Sequence, residues 1–209
     1  MIMLYIAHRG VSKMFRDNSQ EAIHHAVISP EYDGVEIDVQ LCKSGEIVLH
    51  HDLALHDHWI KDLCYDELKL YDIISLDDMY ARVPFIQEKL LFIDIKGNDF
   101  NIISALEKFF KFLDTSNVYF CSFNAPLVSR MHARFLKGRT FESFFHPSEY
   151  EIITNGFDMV MVHWTCLNPL FIDFCKTRNI FVFTYTHKDP IEMRHMRSHS
   201  VDGIITNGL

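Results

Sequence analysis

Eight short runs of apolar, β-branched and aromatic residues recur along the chain, and this recurrence constrains the fold more than any other feature. The runs are IMLYIA (2–7), GVEIDV (34–39), KLLFIDI (89–95), NVYFCSF (117–123), RTFESFF (139–145), FDMVMVHW (157–164), NIFVFTY (179–185) and DGIIT (202–206). Between them, apolar residues recur with the helical period, most clearly at 103–113, 125–136 and 168–178. A strand followed by a helix, repeated, builds a parallel sheet, and eight such units close into an α/β fold of the (β/α)8 TIM-barrel type. The interval between the second and third runs is long. There EIVLHHD (46–52) reads as an extra strand after the Ser44-Gly45 turn, and YDELKLYD (65–72) as a short helix. The expectation is a barrel with a reduced strand and helix insertion, about residues 46–80, between barrel strands two and three. Asn18 with Glu21, and Ser75 with Asp78, have the spacing of capping boxes. Pro126, Pro169 and Pro190 each sit where a helix would begin.

With 209 residues and no linker, repeat or low-complexity block, the chain is expected to form a single domain over 1–209. Its 28 acidic and 20 basic residues give a net charge of -8, which argues against nucleic-acid binding through an overall basic field. An anionic ligand would need a local cation. No apolar run approaches the ~20 residues of a membrane span, and the N-terminal MIMLYIAHRG lacks the basic start of a signal segment. The five cysteines form no CxxC pair, and Cys121 lies in an apolar run, so a reducing, cytoplasmic setting is expected.

In a closed barrel the chemistry collects at the C-terminal ends of the strands. Strand one ends in His8-Arg9-Gly10, strand two carries Glu36 and Asp38, the extra strand leads to His51-Asp52, and strand three carries Asp94 and Lys96. Glu36 and Asp38 stand two apart, so they share one face of the strand while Val35, Ile37 and Val39 share the other. Carboxylates converging inside a barrel repel each other and lose hydration unless a proton or cation joins them. A divalent cation resolves that conflict, and with Asp94 as a third hard-oxygen ligand the expected ion is Mg2+ or Ca2+. Acid pairs on an ordinary strand face solvent or form salt bridges, here with Lys96 or Arg9. The company of His8, His51 and Lys96 favours the ion site.

His8 and His51 are the candidate proton-transfer pair, because imidazole titrates near neutrality. Most of the other histidines among the 13 read as surface or core residues, and His163 as a candidate wall of the pocket. Arg9, with its planar fork, and Lys96, a compact point charge, are the candidate phosphate-binding cations. A small phosphorylated substrate follows.

In order along the chain, HRG (8–10), Asn18-Ser19, VEIDVQ (35–40), Lys-Ser-Gly (43–45), IVLHHD (47–52), SLDDM (75–79), FIDIK (92–96), CSF (121–123), FTYT (183–186) and VDGIITN (201–207) resemble the glycerophosphodiester phosphodiesterase family. The resemblance implies metal-dependent hydrolysis of a glycerophosphodiester to glycerol phosphate and an alcohol. It implies His8 and His51 as the acid/base pair, Glu36, Asp38 and Asp94 as metal ligands, and Arg9 and Lys96 as phosphate contacts. In this family type the substrate's neighbouring hydroxyl attacks phosphorus, and water then opens the cyclic phosphate. The chain departs from the family pattern at several places. Asp94 stands where Glu is usual, Phe183 where Trp is usual, and Thr186 where Asn is common. Asn207 replaces a common Asp, and the stretch after His51-Asp52 is contracted to LALHDHW (53–59). The later departures are expected to bear on the alcohol group recognised more than on the core reaction.

Three other readings remain. A lysophospholipase D-like enzyme would use the same residues with a mouth open to an acyl chain. A zinc hydrolase would need His-x-His at strand one, where residue 10 is Gly. A catalytically silent binding barrel is suggested by Asp94 and the trimmed loops. The oligomeric state is left open.

Overall fold

The computed structural model describes residues 3–209. The chain runs β1 (Leu4–His8), α1 (Gln20–Ile28), β2 (Gly34–Leu41), β3 (Ile47–Leu49), β4 (Ala54–Leu55), β5 (His58–Trp59), α2 (Tyr65–Lys69) and α3 (Leu76–Arg82). It continues through β6 (Leu90–Ile95), α4 (Asn101–Phe109), β7 (Val118–Ser122), α5 (Ala125–Val128), β8 (Leu136–Phe141) and α6 (Tyr150–Thr154). The last elements are β9 (Met159–His163), α7 (Pro169–Thr177), β10 (Phe181–His187), α8 (Pro190–Met196) and β11 (Gly203–Thr206).

Parallel pairings link β1, β11, β10, β9, β8, β7, β6 and β2 in that order, and β1 also pairs with β2, which closes the barrel. This is the (β/α)8 architecture expected from the repeating pattern. The strands alternate faces, so their side chains divide between an outer shell and a filled lumen. Outside, Val35, Ile37, Val39, Ile93 and Ile95 pack on Ile23 and Ala26 of α1, Met79 of α3 and Leu106 of α4. On the opposite flank Val160, Val162, Val182 and Ile204 pack on Ile172 and Cys175 of α7 and on Met196 of α8. Inside, Ile6, Phe92, Cys121, Met159, Met161, Phe183 and Ile205 fill the lumen. Phe92 and Phe183 sit edge to face at 4.8 Å, and burying each ring contributes about 1.5–3 kcal/mol. Two glycines make room for this packing. A Cβ on Gly203 would lie 2.5 Å from the Phe183 ring, and one on Gly138 would lie 2.6 Å from Cys121 Sγ.

The insertion hangs from the end of β2. There β3 pairs antiparallel with Val39–Leu41, β4 and β5 form a small hairpin, and α2 and α3 lead back to the barrel. Val48, Ile60, Leu68 and Ile73 give the insertion its own apolar centre.

Local boundaries correct the sequence reading in four places. The helix expected over 125–136 stops after Val128, although Leu127, Val128, Met131 and Phe135 are buried as the periodicity implied. Residues 136–138 are needed as strand, because Leu136 pairs with Tyr119 and Gly138 with Cys121. The fifth strand is therefore Leu136–Phe141 rather than 139–145, and Phe144 is exposed. Helix α1 is capped by Ser19, whose hydroxyl accepts from Ala22 N–H, and not by Asn18. The contracted segment 53–59 folds as the β4–β5 hairpin, which its mixed polar sequence did not announce. Ser75 caps α3 by accepting from Asp78 N–H, but the box is not completed, since the Ser75 N–H donates to the Tyr65 hydroxyl; the helix-start prolines hold as read. Ile2, the start of the first run, lies outside the described residues.

Candidate active site

Strand register assembles the site. His8 on β1 stands beside Glu36 on β2, and Asp38 on β2 stands beside Asp94 on β6. Their side chains point into the barrel mouth because they occupy the inward positions of strands whose outward positions are Val and Ile. After His8 the chain turns sharply through two left-handed residues, Arg9 (φ 57) and Gly10 (φ 80). A side chain at Gly10 would meet the backbone of Ala22 at 2.4 Å. The turn aims the Arg9 backbone N–H at Glu36 Oε2, 3.0 Å away.

His8, Arg9, Glu36, Asp38, His51, Asp94 and Lys96, all seven residues expected from the sequence, line one cleft of about 110 Å3. Glu36, Asp38 and Asp94 are buried and offer three carboxylate oxygens within 4.8 Å of one another. Lys96 Nζ lies 2.8 Å from Asp38 Oδ1 and 2.5 Å from Asp94 Oδ2, and Arg9 Nε lies 3.0 Å from Asp38 Oδ2. Thus the acids are salt-bridged as well as clustered. Three carboxylates against two cations leave one negative charge over in a buried site, and Asp94 Oδ1 is buried with no hydrogen-bond partner. The donor set fits a divalent cation, which would meet hard oxygens, give the Asp94 Oδ1 atom a partner and turn the local balance positive.

The titration behaviour follows the same imbalance. Burial pushes Glu36 well above the usual carboxylate range, reinforced by the charges of Asp38 and Asp94. Burial also raises Asp94 to about 6 against the pull of Lys96. For Asp38 burial is outweighed by Lys96 and Arg9, which hold it below its ordinary value. Burial, aided by the Arg9 charge, brings His8 down to about 4, so its ring is neutral at pH 7.

Three neutral side chains that the sequence reading did not place in the site hold the charged ones. Asn18 is buried with φ 58; its Nδ2 donates to Asp38 Oδ2 at 2.8 Å and its Oδ1 accepts from the Asp38 backbone N–H at 3.0 Å. Gln40 donates from Nε2 to the carbonyls of His50 (2.7 Å) and Asp52 (2.6 Å), fixing the loop that carries His51. Gln40 continues the Glu36, Asp38 alternation by one more step, a signal the sequence did contain. Asn207 Oδ1 lies 2.6 Å from His8 Nδ1. The Asn207 departure therefore touches the imidazole of strand one. His51 is half-exposed, with Nδ1 2.7 Å from Asp52 Oδ1. His163 leans on Tyr185 at 5.5 Å between ring centroids, beside the cleft.

A closed (β/α)8 barrel with acids, imidazoles and cations gathered at its C-terminal mouth is the frame of a barrel hydrolase of phosphoric diesters. The chain belongs to the glycerophosphoryl diester phosphodiesterase family, whose model matches residues 8–209. A glycerophosphodiester phosphodiesterase of Caldanaerobacter subterraneus subsp. tengcongensis is 27% identical over 232 residues, covering 99% of this chain and 95% of the relative. The crystal structure of a glycerophosphodiester phosphodiesterase from Thermotoga maritima superposes with a TM-score of 0.85 at 24% identity, covering 99% of this chain and 95% of that one. A phosphodiesterase from Oleispira antarctica, solved with the product sn-glycerol-3-phosphate, gives a TM-score of 0.84 at 18% identity, covering 98% and 92%. The chain is thus an enzyme of the phosphoric diester hydrolase class. Among the described residues no helix is long and apolar enough to cross a membrane.

Proposed function

We infer that this enzyme hydrolyses small glycerophosphodiesters to glycerol phosphate and an alcohol, with His8 and His51 exchanging protons and Glu36, Asp38 and Asp94 holding Mg2+ or Ca2+. The observation that carries this reading is the convergence of all seven residues on one cleft around a buried carboxylate oxygen without a partner. The bound ion would polarise a phosphoryl oxygen and lower the pKa of a coordinated hydroxyl or water.

The chain's own groups do the rest. Asn207 engages His8 at Nδ1, which leaves Nε2 toward the cleft, 3.9 Å from Glu36 Oε2. A neutral ring in that position accepts a proton from the glycerol hydroxyl as it attacks phosphorus. Asp52 fixes His51 through Nδ1, leaving Nε2 to protonate the departing alcohol oxygen. When water opens the resulting cyclic phosphate, the two imidazoles reverse roles. Arg9 and Lys96 grip the phosphate with the donors their carboxylate partners leave free. The reading treats residues 1–209 as one domain, with the insertion as part of the pocket wall. It places the enzyme in the cytoplasm, a reducing setting that suits five free cysteines.

The test is turnover of glycerophosphoethanolamine by the purified enzyme with Mg2+, with Ca2+ and with chelator, alongside His51→Ala. Turnover requiring the ion and lost in the variant supports the reading. Turnover indifferent to both overturns it.

A further inference from the structure

Lys96 lines a second cavity besides the catalytic cleft; it measures about 290 Å3 and is walled by Leu41, Leu53, Trp59, Ile102 and the Lys96–Asp99 turn. The cleft holds about 110 Å3, so it is the smaller of the two, and ligand pockets generally run from about 300 Å3 upward. A phosphodiester seated at the carboxylates must extend one of its substituents out of the cleft.

The chemistry of this groove is one-sided. Leu53 and Trp59 are 44% and 53% exposed, and they belong to the hairpin segment whose next residue, Ile60, is fully buried. Several polar groups around it are already engaged: the Gln40 amide donates to the His50 and Asp52 carbonyls, Lys61 pairs with Asp62, and Asp99 accepts from Asn101. At the junction stands Gly97, with φ 76, where even a Cβ would come within 3.2 Å of Leu53 Cδ2. Lys96 lines both cavities, and beyond it the second offers Leu41, Leu53, Trp59 and Ile102 as its apolar wall. Such a wall favours a hydrocarbon chain.

We propose that the groove between the β4–β5 hairpin and the β6–α4 turn binds the apolar part of the alcohol esterified to the phosphate, so that the enzyme selects diesters of long-chain alcohols, with Trp59 and Leu53 as specificity-determining residues. The proposal rests on the reading of the cleft given above and adds the leaving-group class to it.

The experiment compares kcat/KM for glycerophospho-octanol, glycerophosphoethanol and glycerophosphocholine with the metal-loaded enzyme. The octyl diester is expected to be preferred over the ethyl diester by tenfold or more. That ratio should fall toward one in Trp59→Ala and in Leu53→Ser, and stay unchanged in Phe112→Ser, an exposed residue on the α4–β7 connection at the far end of the barrel. Equal use of octyl and ethyl diesters, a preference that survives both groove variants, or a preference for the choline diester overturns the proposal. If none of the diesters is turned over, the reading of the cleft fails, and the groove is then judged by binding of octyl phosphate. In a Trp164→Phe background, a blue shift of Trp59 emission on binding supports an apolar subsite. No shift at saturating octyl phosphate rejects it.

Discussion

The two arcs of the barrel mouth are built from opposite materials. Strands β1, β2 and β6 bring His8, Arg9, Glu36, Asp38, Asp94 and Lys96 to the cleft, whereas β8 to β11 bring Thr140, Met161, Tyr185, Thr186 and Ile205. On the first arc nearly every ion is braced by another, and Asp38 alone meets Lys96, Arg9 and Asn18. On the second arc charge is lacking: Tyr185 donates to the Phe141 carbonyl, and the Thr140 hydroxyl is buried without a partner. The contrast assigns a task to each. On the proposed function the charged arc would supply the groups that act, and the apolar arc lowers the local dielectric so that those charges interact more strongly with one another. The elevation of Glu36 and Asp94 is the visible result.

The largest expected effect lies on the charged side. His51→Ala should lower kcat by about 10²–10⁴-fold while leaving the melting temperature nearly unchanged, since the ring is half-exposed. Steady-state kinetics with thermal denaturation separates a loss of chemistry from a loss of fold.

The apolar arc should show its weakness in acid. His187 is fully buried, and burial brings it down to about 4 from an ordinary 6.5. The folded chain then binds fewer protons than the unfolded chain between those values. This contribution to stability is complete above about pH 6.5 and is lost as the pH falls toward 4, on the order of 3 kcal/mol in all. His187→Gln should flatten that part of the stability curve, read by denaturant unfolding at pH 7, 6, 5 and 4.

Next comes a brace within the charged arc. Asn18→Ala removes both hydrogen bonds to Asp38 and should cost about 1–3 kcal/mol of stability. Calorimetric titration should also show divalent-ion affinity reduced about 10–100-fold. An unchanged affinity would mean that Asp38 holds its position without Asn18.

The smallest effect is expected at Thr140→Val, which removes the unpartnered hydroxyl while keeping the branched shape. Stability should stay within about 1 kcal/mol or rise. A loss of 2 kcal/mol or more would reveal a partner for that hydroxyl and make the second arc less inert than described.

The charged arc was the more legible in sequence. Glu36, Asp38, Asp94 and Lys96 interrupt Val- and Ile-rich strands, and a charge in such a run can only be a mistake or a function. The barrel was legible for a related reason, since the outward positions of its strands must match the helices that cover them. The bracing roles of Asn18, Gln40 and Asn207 were not read from sequence because a neutral amide does not announce its hydrogen-bond partner. Asn18 was further disguised by Ser19, which has the chemistry of a cap and takes that role. The start of β8 was hidden by Lys137 and Gly138, whose strand conformation is imposed by pairing with β7 rather than by their own preference.

The bond between His8 and Asn207 spans 199 positions of sequence. During synthesis the three carboxylates can come together once β6 has emerged, yet the imidazole of β1 has no fixed orientation until β11 inserts between β1 and β10. Contacts this distant in sequence carry a large loop-closure cost. A nascent chain would therefore pass through a stage that already gathers the acids while the imidazole of β1 still lacks its Asn207 partner.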